Sequence, residues 1–213
     1  MTSGSHLLLS TAYLPPVQYI SKFLSENKVL IEIHENYQKQ SYRNRCYIYG
    51  ANGRQCLVIP IVKAHGEKTP ITRVEIDNQS PWQKIHIKSI QSAYLNSPFY
   101  EFYADEFNRF YTQKSALLID WNSAFLKYIL KLLNLETDIK TTTGFEKAPV
   151  ASPDYRQTIH PKPAHQMPDK NFLPVPYIQV FRDRYGFIPN LSIIDLLFNE
   201  GQNAREILVK SIR

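Results

Sequence analysis

His86 is the histidine best placed for acid–base work. It shares a helical stretch with Trp82 and Tyr94, an aromatic setting in which a neutral imidazole can exchange a proton near pH 7; the competing reading is a hydrogen-bonded core histidine. Arg45 comes next. It alternates with Tyr47 and Tyr49 on a strand whose two faces are both largely apolar, so its guanidinium needs a carboxylate, a carbonyl or a ligand phosphate. Phosphate is the reading favoured, with Asn44 turned to the opposite face. Asp195 opens a helix after Asn190-Leu191-Ser192. Helix capping by Ser192 with Asp195 as its box partner accounts for that pattern, and the same helix start offers free backbone amides to an anion.

Other constellations are weaker. His160 and His165 sit in a proline-rich stretch with no third ligand nearby, and Pro161 and Pro163 forbid a helical two-histidine face, so no metal site is expected. His165 and Asp169 match a His-x-x-x-Asp acyltransferase pattern, but two fixed positions recur by chance. Glycine-rich nucleotide cradles, phosphate loops, Cys-x-x-Cys, His-Glu-x-x-His and Gly-x-Ser-x-Gly are all missing, which removes motif support for the chemistries they carry. No cofactor is expected.

The elements that must position these residues are legible in outline. Residues 7–14 form a short apolar run that Pro15-Pro16 cannot extend within a sheet. Positions 16, 19, 20, 23 and 24 then repeat at helical spacing, and Val29-Leu30-Ile31-Glu32-Ile33 is a second strand. Strand, helix and strand within about 30 residues make a βαβ unit, parallel by default. Two β-runs around Asn52-Gly53 predict a hairpin with those two residues in the turn, and Ile71 to Ile76 predicts a further antiparallel strand. Ser80-Pro81-Trp82-Gln83 predicts a capped helix start. A longer helix spans about 116–134, with Asn122 at the edge of its apolar stripe as a satisfied core amide. Seven of the 14 prolines fall in 149–176, predicting a long loop. Tyr177 to Phe181 reads as β, and 192–199 as a helix stopped by Gly201.

Length and charge bound the rest. A chain of 213 residues with 43% hydrophobic and 21% charged residues buries a sizeable core without staples. No apolar run approaches the roughly 18 residues of a membrane span, no signal-peptide core stands out, and a cytoplasmic protein is expected. The 25 basic against 19 acidic residues give +6 without a basic block, which suits a phosphate-bearing small molecule better than nucleic acid. With Asn52-Gly53 as the turn, Cys46 and Cys56 lie three positions out of register, about 10 Å, and on opposite faces. They are expected to be free thiols.

The order of residues resembles the WbqC-like family: Tyr13-Leu14-Pro15 before Tyr19, Tyr42-Arg43-Asn44-Arg45, Ile59-Pro60-Ile61, Trp82 with His86, Ile90 and Tyr94, and the string from Phe187 to Asn199 with Gly201. Two departures stand out. Members usually carry His-Gln-Pro-Asn ahead of Tyr-Leu-Pro and a tryptophan after it, where this chain has Leu9, Ser10, Thr11, Ala12 and Pro16. The stretch before the last motif also looks shorter. The first βα turn resembles in outline the nucleotidyltransferase type of Rossmann-like fold.

The resemblance implies a setting among bacterial O-antigen and related surface-polysaccharide genes. Together these readings predict an α/β fold: a Rossmann-like mixed sheet with an N-terminal βαβ unit and an antiparallel hairpin, flanking helices and a helical C-terminal part. Residues 1–213 would form one domain, with 149–176 a proline-rich loop inside it. The expected function is a transferase acting on a nucleotide-linked or otherwise activated sugar. Tyr13 and Tyr19 would meet the sugar, Arg45 the phosphate, Asn190 and Ser192 the ligand at the helix start, Asn44 and Tyr94 would also bind substrate, and His86 and Asp195 would be catalytic. The alternative is a noncatalytic module that binds a sugar nucleotide or a partner enzyme. A homo-oligomer or a pathway enzyme as partner stays open.

Overall fold

A computed structural model describes residues 6–25, 28–62, 68–149 and 152–213. In chain order the elements are β1 (Leu7–Ser10), α1 (Val17–Ser25), β2 (Lys28–Glu32), β3 (Arg45–Gly50), β4 (Gly53–Val58), α2 (Trp82–Tyr94), α3 (Tyr100–Thr112), α4 (Leu118–Leu132), β5 (Asp138–Thr141), α5 (Arg182–Tyr185), α6 (Ile193–Glu200) and α7 (Ala204–Lys210). The architecture is mixed α/β. A parallel sheet runs β1-β2-β5, and the β3-β4 hairpin forms a second, antiparallel sheet.

The βαβ unit is present as expected. Leu7 to Ser10 pair in parallel with Val29 to Glu32, and β5 adds on the other side of β2. Every residue of β1 is buried, which is how a parallel strand covered on both faces reads: an uninterrupted apolar run. The polypeptide then turns sharply. Leu14 takes a φ of 38°, a left-handed conformation costly for a residue with a Cβ, and Pro15-Pro16 lead into α1, whose first turn closes on the Pro16 carbonyl.

The hairpin register differs from the expected one. Gly50 pairs with Gly53, Tyr47 with Cys56 and Cys46 with Leu57, so Ala51 and Asn52 form the turn. Neither has a positive φ, whereas Gly53 has a φ of 90°. The turn is therefore not the primed one that Asn-Gly favours, and Gly53 supplies the positive φ just after it in an unbroken ladder. Each residue's partner moves by two positions, so the faces survive. Cys46 is buried, Cys56 exposed, and both are free, but they are offset by one position rather than three. The second face is not fully covered either: Val58 is 39% exposed.

Other expectations need correcting. Ile71–Arg73 is a 3-10 turn followed by isolated bridges, Ile61 with Ile76 and Glu75 with Leu117, instead of a strand. Residues 177–181 form no strand. Ser80 does not cap α2, because the helix starts at Trp82 and the cap position falls on Pro81, which has no side-chain acceptor; Gln83 donates to the Gln113 carbonyl. Asn122 is a core amide satisfied at one end only: Nδ2 donates to Thr11 Oγ1 and the Arg43 carbonyl, while its buried Oδ1 has no partner.

Gly201 ends α6 at a φ of 55°, and a Cβ there would lie 2.5 Å from the Phe99 ring. Gly201→Ala therefore combines backbone strain with a ring clash, and a loss of about 1–3 kcal/mol is expected in denaturant unfolding.

Candidate functional site

The two ends of the chain's motif pattern meet at the start of α1. Val17 N donates to the Leu191 carbonyl and Ile193 N to the Pro15 carbonyl. Ser192 Oγ donates to the strained Leu14 carbonyl at 2.8 Å. Asn190, itself at a φ of 56°, accepts from Gln18 N at 2.9 Å and donates to Gln18 Oε1 at 3.1 Å. Residues 172 positions apart are thus locked together beside an open cleft of about 460 Å³, lined among others by Gln18, Tyr42, Arg54, Asp169, Phe172 and Asn190. Amides, a carboxylate, aromatic faces and a guanidinium are the groups that bind hydroxyls, sugar faces and phosphate.

Behind this cleft, at the carboxyl ends of β1 and β2, lies a buried polar layer. Tyr19 donates its hydroxyl to the Ser10 carbonyl at 2.9 Å. Arg43, 2% exposed, grips Glu35 in a two-pronged pair, Nε to Oε1 at 2.7 Å and Nη2 to Oε2, and also donates to Ser10 Oγ. Arg156 is held between Glu32 and Asp154. A hollow the size of about one water, 10 Å³, separates these groups and shares Tyr42 with the cleft. This is where a parallel sheet ordinarily receives a ligand, but both guanidinium groups are already neutralised by carboxylates.

His86 and Tyr13 meet deeper still. The Tyr13 hydroxyl lies 2.8 Å from His86 Nδ1 and 2.6 Å from the Tyr111 hydroxyl, with Trp82 and Trp121 packed edge-on around them. Burial pushes the His86 pKa down to about 4, only partly offset by its bond to the Val58 backbone. A neutral ring donating to that backbone leaves Nδ1 to accept from Tyr13. The His86 ring is expected to show no chemical-shift titration in NMR between about pH 5 and 8; a midpoint in that range would contradict its sealed position.

Asp195 does not serve as a capping partner. Its carboxylate is 0% exposed and accepts from Tyr94 at 2.8 Å, Tyr177 at 2.6 Å and Gln179 at 2.8 Å. Burial raises its pKa to about 6, against the lowering effect of those three donors. The Tyr94 hydroxyl in turn accepts from Tyr49 N at 3.0 Å, so α2, β3, α6 and residues 177–179 are tied at one point. Asn44 Nδ2 donates to the Ile59 carbonyl, while its buried Oδ1 has no partner. Arg45 lies opposite Val58 in the hairpin ladder, half-buried, with its Nε among the buried polar atoms that lack a hydrogen-bond partner.

The predicted residues therefore gather in pairs: Tyr13 with His86, Tyr94 with Asp195, and Ser192 and Asn190 with the first turn. Only Asn190 lines the open cleft. Residues missed in the sequence are Arg43, Gln18 and Lys22, while Asp169, met there only as a chance partner of His165, pairs instead with Lys22. Of these only Arg43 carries a readable signal, inside Tyr42-Arg43-Asn44-Arg45. The rings of His160 and His165 lie 5.0 Å apart, and among the described residues no group of His, Cys, Asp and Glu is arranged to hold a metal ion. No described helix is long and apolar enough to cross a membrane.

These features define a mixed α/β protein with a parallel βαβ unit and a polar cleft at the start of its crossover helix. The chain belongs to the WbqC-like protein family, whose sequence profile matches residues 11–158. The Tyr13-Leu14-Pro15 turn, Arg43, Arg45 and His86 fall inside that match, while the Phe187 to Asn199 string lies beyond it. No curated protein and no solved structure matches the chain.

Proposed function

We propose that this WbqC-like protein binds an activated sugar, carrying a phosphate or a nucleotide, in the cleft beside α1, as a component of bacterial surface-polysaccharide synthesis. The observation that carries the reading is the cleft lining: Gln18, Asn190 and Asp169 next to the faces of Tyr42 and Phe172, with Arg54 among the lining groups. Amides and carboxylates pair with sugar hydroxyls, aromatic faces pack on the ring, and a guanidinium suits phosphate. Tyr13, Tyr19, Asn44, Tyr94 and Ser192 act in this reading as the frame that fixes the cleft wall. The buried positions of His86 and Asp195 favour binding without turnover over the transferase alternative, since neither reaches the cleft.

A thermal-shift panel of sugar phosphates and sugar nucleotides tests this, followed by calorimetry and product analysis of the hits. At least one member is expected to stabilise the protein, and Arg54→Ala is expected to weaken that ligand about tenfold, the size of one charge-assisted hydrogen bond. Loss of affinity in Arg45→Ala instead would move the phosphate to the half-exposed face of the hairpin. Product formation would assign the transferase activity, and a panel without a single response would end the proposal.

A further inference from the structure

The ion pair between Lys22 and Asp169 is built unlike a surface contact. Lys22, on α1, is 1% exposed. Its ammonium lies 2.6 Å from Asp169 Oδ2, 4.5 Å from the centroid of the Tyr155 ring and 5.9 Å from that of Phe172. Gln18, one turn earlier on the same face, donates through Nε2 to the same oxygen at 2.8 Å, and its amide is oriented by Asn190. One helix therefore brings two groups to a single carboxylate oxygen, the Gln18 amide through a hydrogen bond and the Lys22 ammonium as an ion pair whose Nζ has no hydrogen-bond partner.

That oxygen is delivered by a segment that otherwise lies in solvent. Residues 162–168 are exposed throughout, and Asp169 and Phe172 are the next side chains to turn inward. The second oxygen, Oδ1, accepts only within its own loop, from Asn171 N. The cleft opens onto Gln18, Asp169 and Phe172. Burying an ammonium and a carboxylate to hold down an exposed loop is a poor way to gain stability, because apolar contacts of the same size do as well or better without the desolvation cost. Burial lowers the proton affinity of Lys22 and the neighbouring Asp169 partly restores it, so a facing anion favours the charged form of this lysine.

We infer that Lys22 and Gln18 form an anion subsite at the inner end of the cleft, and that Asp169 fills it in cis as a stand-in for an anionic oxygen group of the ligand. An incoming phosphate or carboxylate takes the place of Asp169 on Lys22, and the displaced carboxylate turns out into the cleft while Phe172, bridged to Ile212, stays in the wall. Competition from Asp169 then lowers the apparent affinity by the fraction of molecules in which the subsite is vacant. The activated sugar as ligand rests on the proposed function; the subsite itself does not.

The test uses Asp169→Asn, which keeps the side-chain shape and removes the charge. Thermal unfolding is measured in potassium phosphate and in potassium acetate against potassium chloride at equal ionic strength. At an anion concentration about tenfold above its dissociation constant, the midpoint of Asp169→Asn is expected to rise about 3–6 °C more than that of the wild type. The double variant Lys22→Met/Asp169→Asn is expected to lose the response. A gain with phosphate alone assigns a phosphoryl ligand, and a gain with acetate alone a carboxylate. An Asp169→Asn protein that folds in either anion but not in chloride supports the subsite too. Equal shifts in wild type and variant, a response retained by the double variant, or an Asp169→Asn protein that folds in none of the three salts overturns it. The probes contain no sugar, so a wild type that ignores every activated sugar while Asp169→Asn responds removes the sugar reading and leaves the subsite.

Discussion

Replacing Asp195 with alanine is expected to lower the free energy of unfolding by about 3–5 kcal/mol. The carboxylate is wholly buried, and its removal strands the hydroxyls of Tyr94 and Tyr177 and the amide of Gln179. Gln179 cannot turn away, because both ends of its amide are bonded to Ile188. The same carboxylate gives stability a definite pH dependence. Its pKa is about 6 in the folded protein against an ordinary 3.8, so the folded state holds the proton more tightly than the unfolded one. Stability from this group is fully present below about pH 4 and declines as pH rises towards and through about 6. The total is about 3 kcal/mol, from a difference of roughly two pKa values at 1.36 kcal/mol each. Urea unfolding of wild type and Asp195→Asn across this range is expected to show the decline in the wild type alone. A wild-type curve that rises with pH relative to the variant would reverse the sign and refute a desolvated carboxylate.

How much of this was visible in the sequence depends on whether the cause is local. β1, α1 and β2 follow from apolar runs and proline punctuation, and their parallel pairing follows from the length of the crossover. The hairpin faces were legible because side chains alternate with a period of two. The turn was not, because Asn-Gly can place its positive φ inside the turn or, as here, with the glycine just after it. α3 carries a readable stripe, Tyr100, Tyr103, Phe107 and Tyr111 at spacings of three and four, yet it lies in a stretch without strong caps. Tyr177 to Phe181 alternates like a strand, but a strand needs a partner edge, and this stretch instead turns Tyr177 and Gln179 inward to Asp195.

The polar contacts divide in the same way. Asp195 fits a capping box at sequence level, and nothing near it announces Tyr94, 101 positions away. Lys22 and Asp169 are still more remote in sequence, and nothing local pairs them until α1 and the proline-rich segment are brought together. Arg43 and Arg45 are the sharpest case. Both sit in one motif, two residues apart, and the hairpin period favours Arg45 because it lies within the strand. Arg43 precedes the strand, where alternation says nothing about its direction, and its position is set by Glu35.

Arg43→Ala is accordingly expected to be among the most damaging single changes, with a loss of about 3–5 kcal/mol. The guanidinium neutralises Glu35, 4% exposed, through two parallel bonds and reaches Ser10 at the end of β1. Its removal leaves a carboxylate in the interior with no cation and one remaining side-chain donor, the Ser10 hydroxyl at 3.3 Å. Arg43→Lys recovers only part of the loss, since an ammonium cannot span both carboxylate oxygens as a planar fork does. The double variant Arg43→Met/Glu35→Leu separates the cost of an orphaned charge from the worth of the pair. Replacing both partners by apolar groups removes the desolvation burden along with the attraction, so its stability is expected within about 2 kcal/mol of the wild type. Equilibrium denaturation of the four proteins reads this directly. Should the double variant prove as unstable as Arg43→Ala, the arginine would be holding the strand ends through its contacts with Ser10 and Gln38 rather than by balancing Glu35.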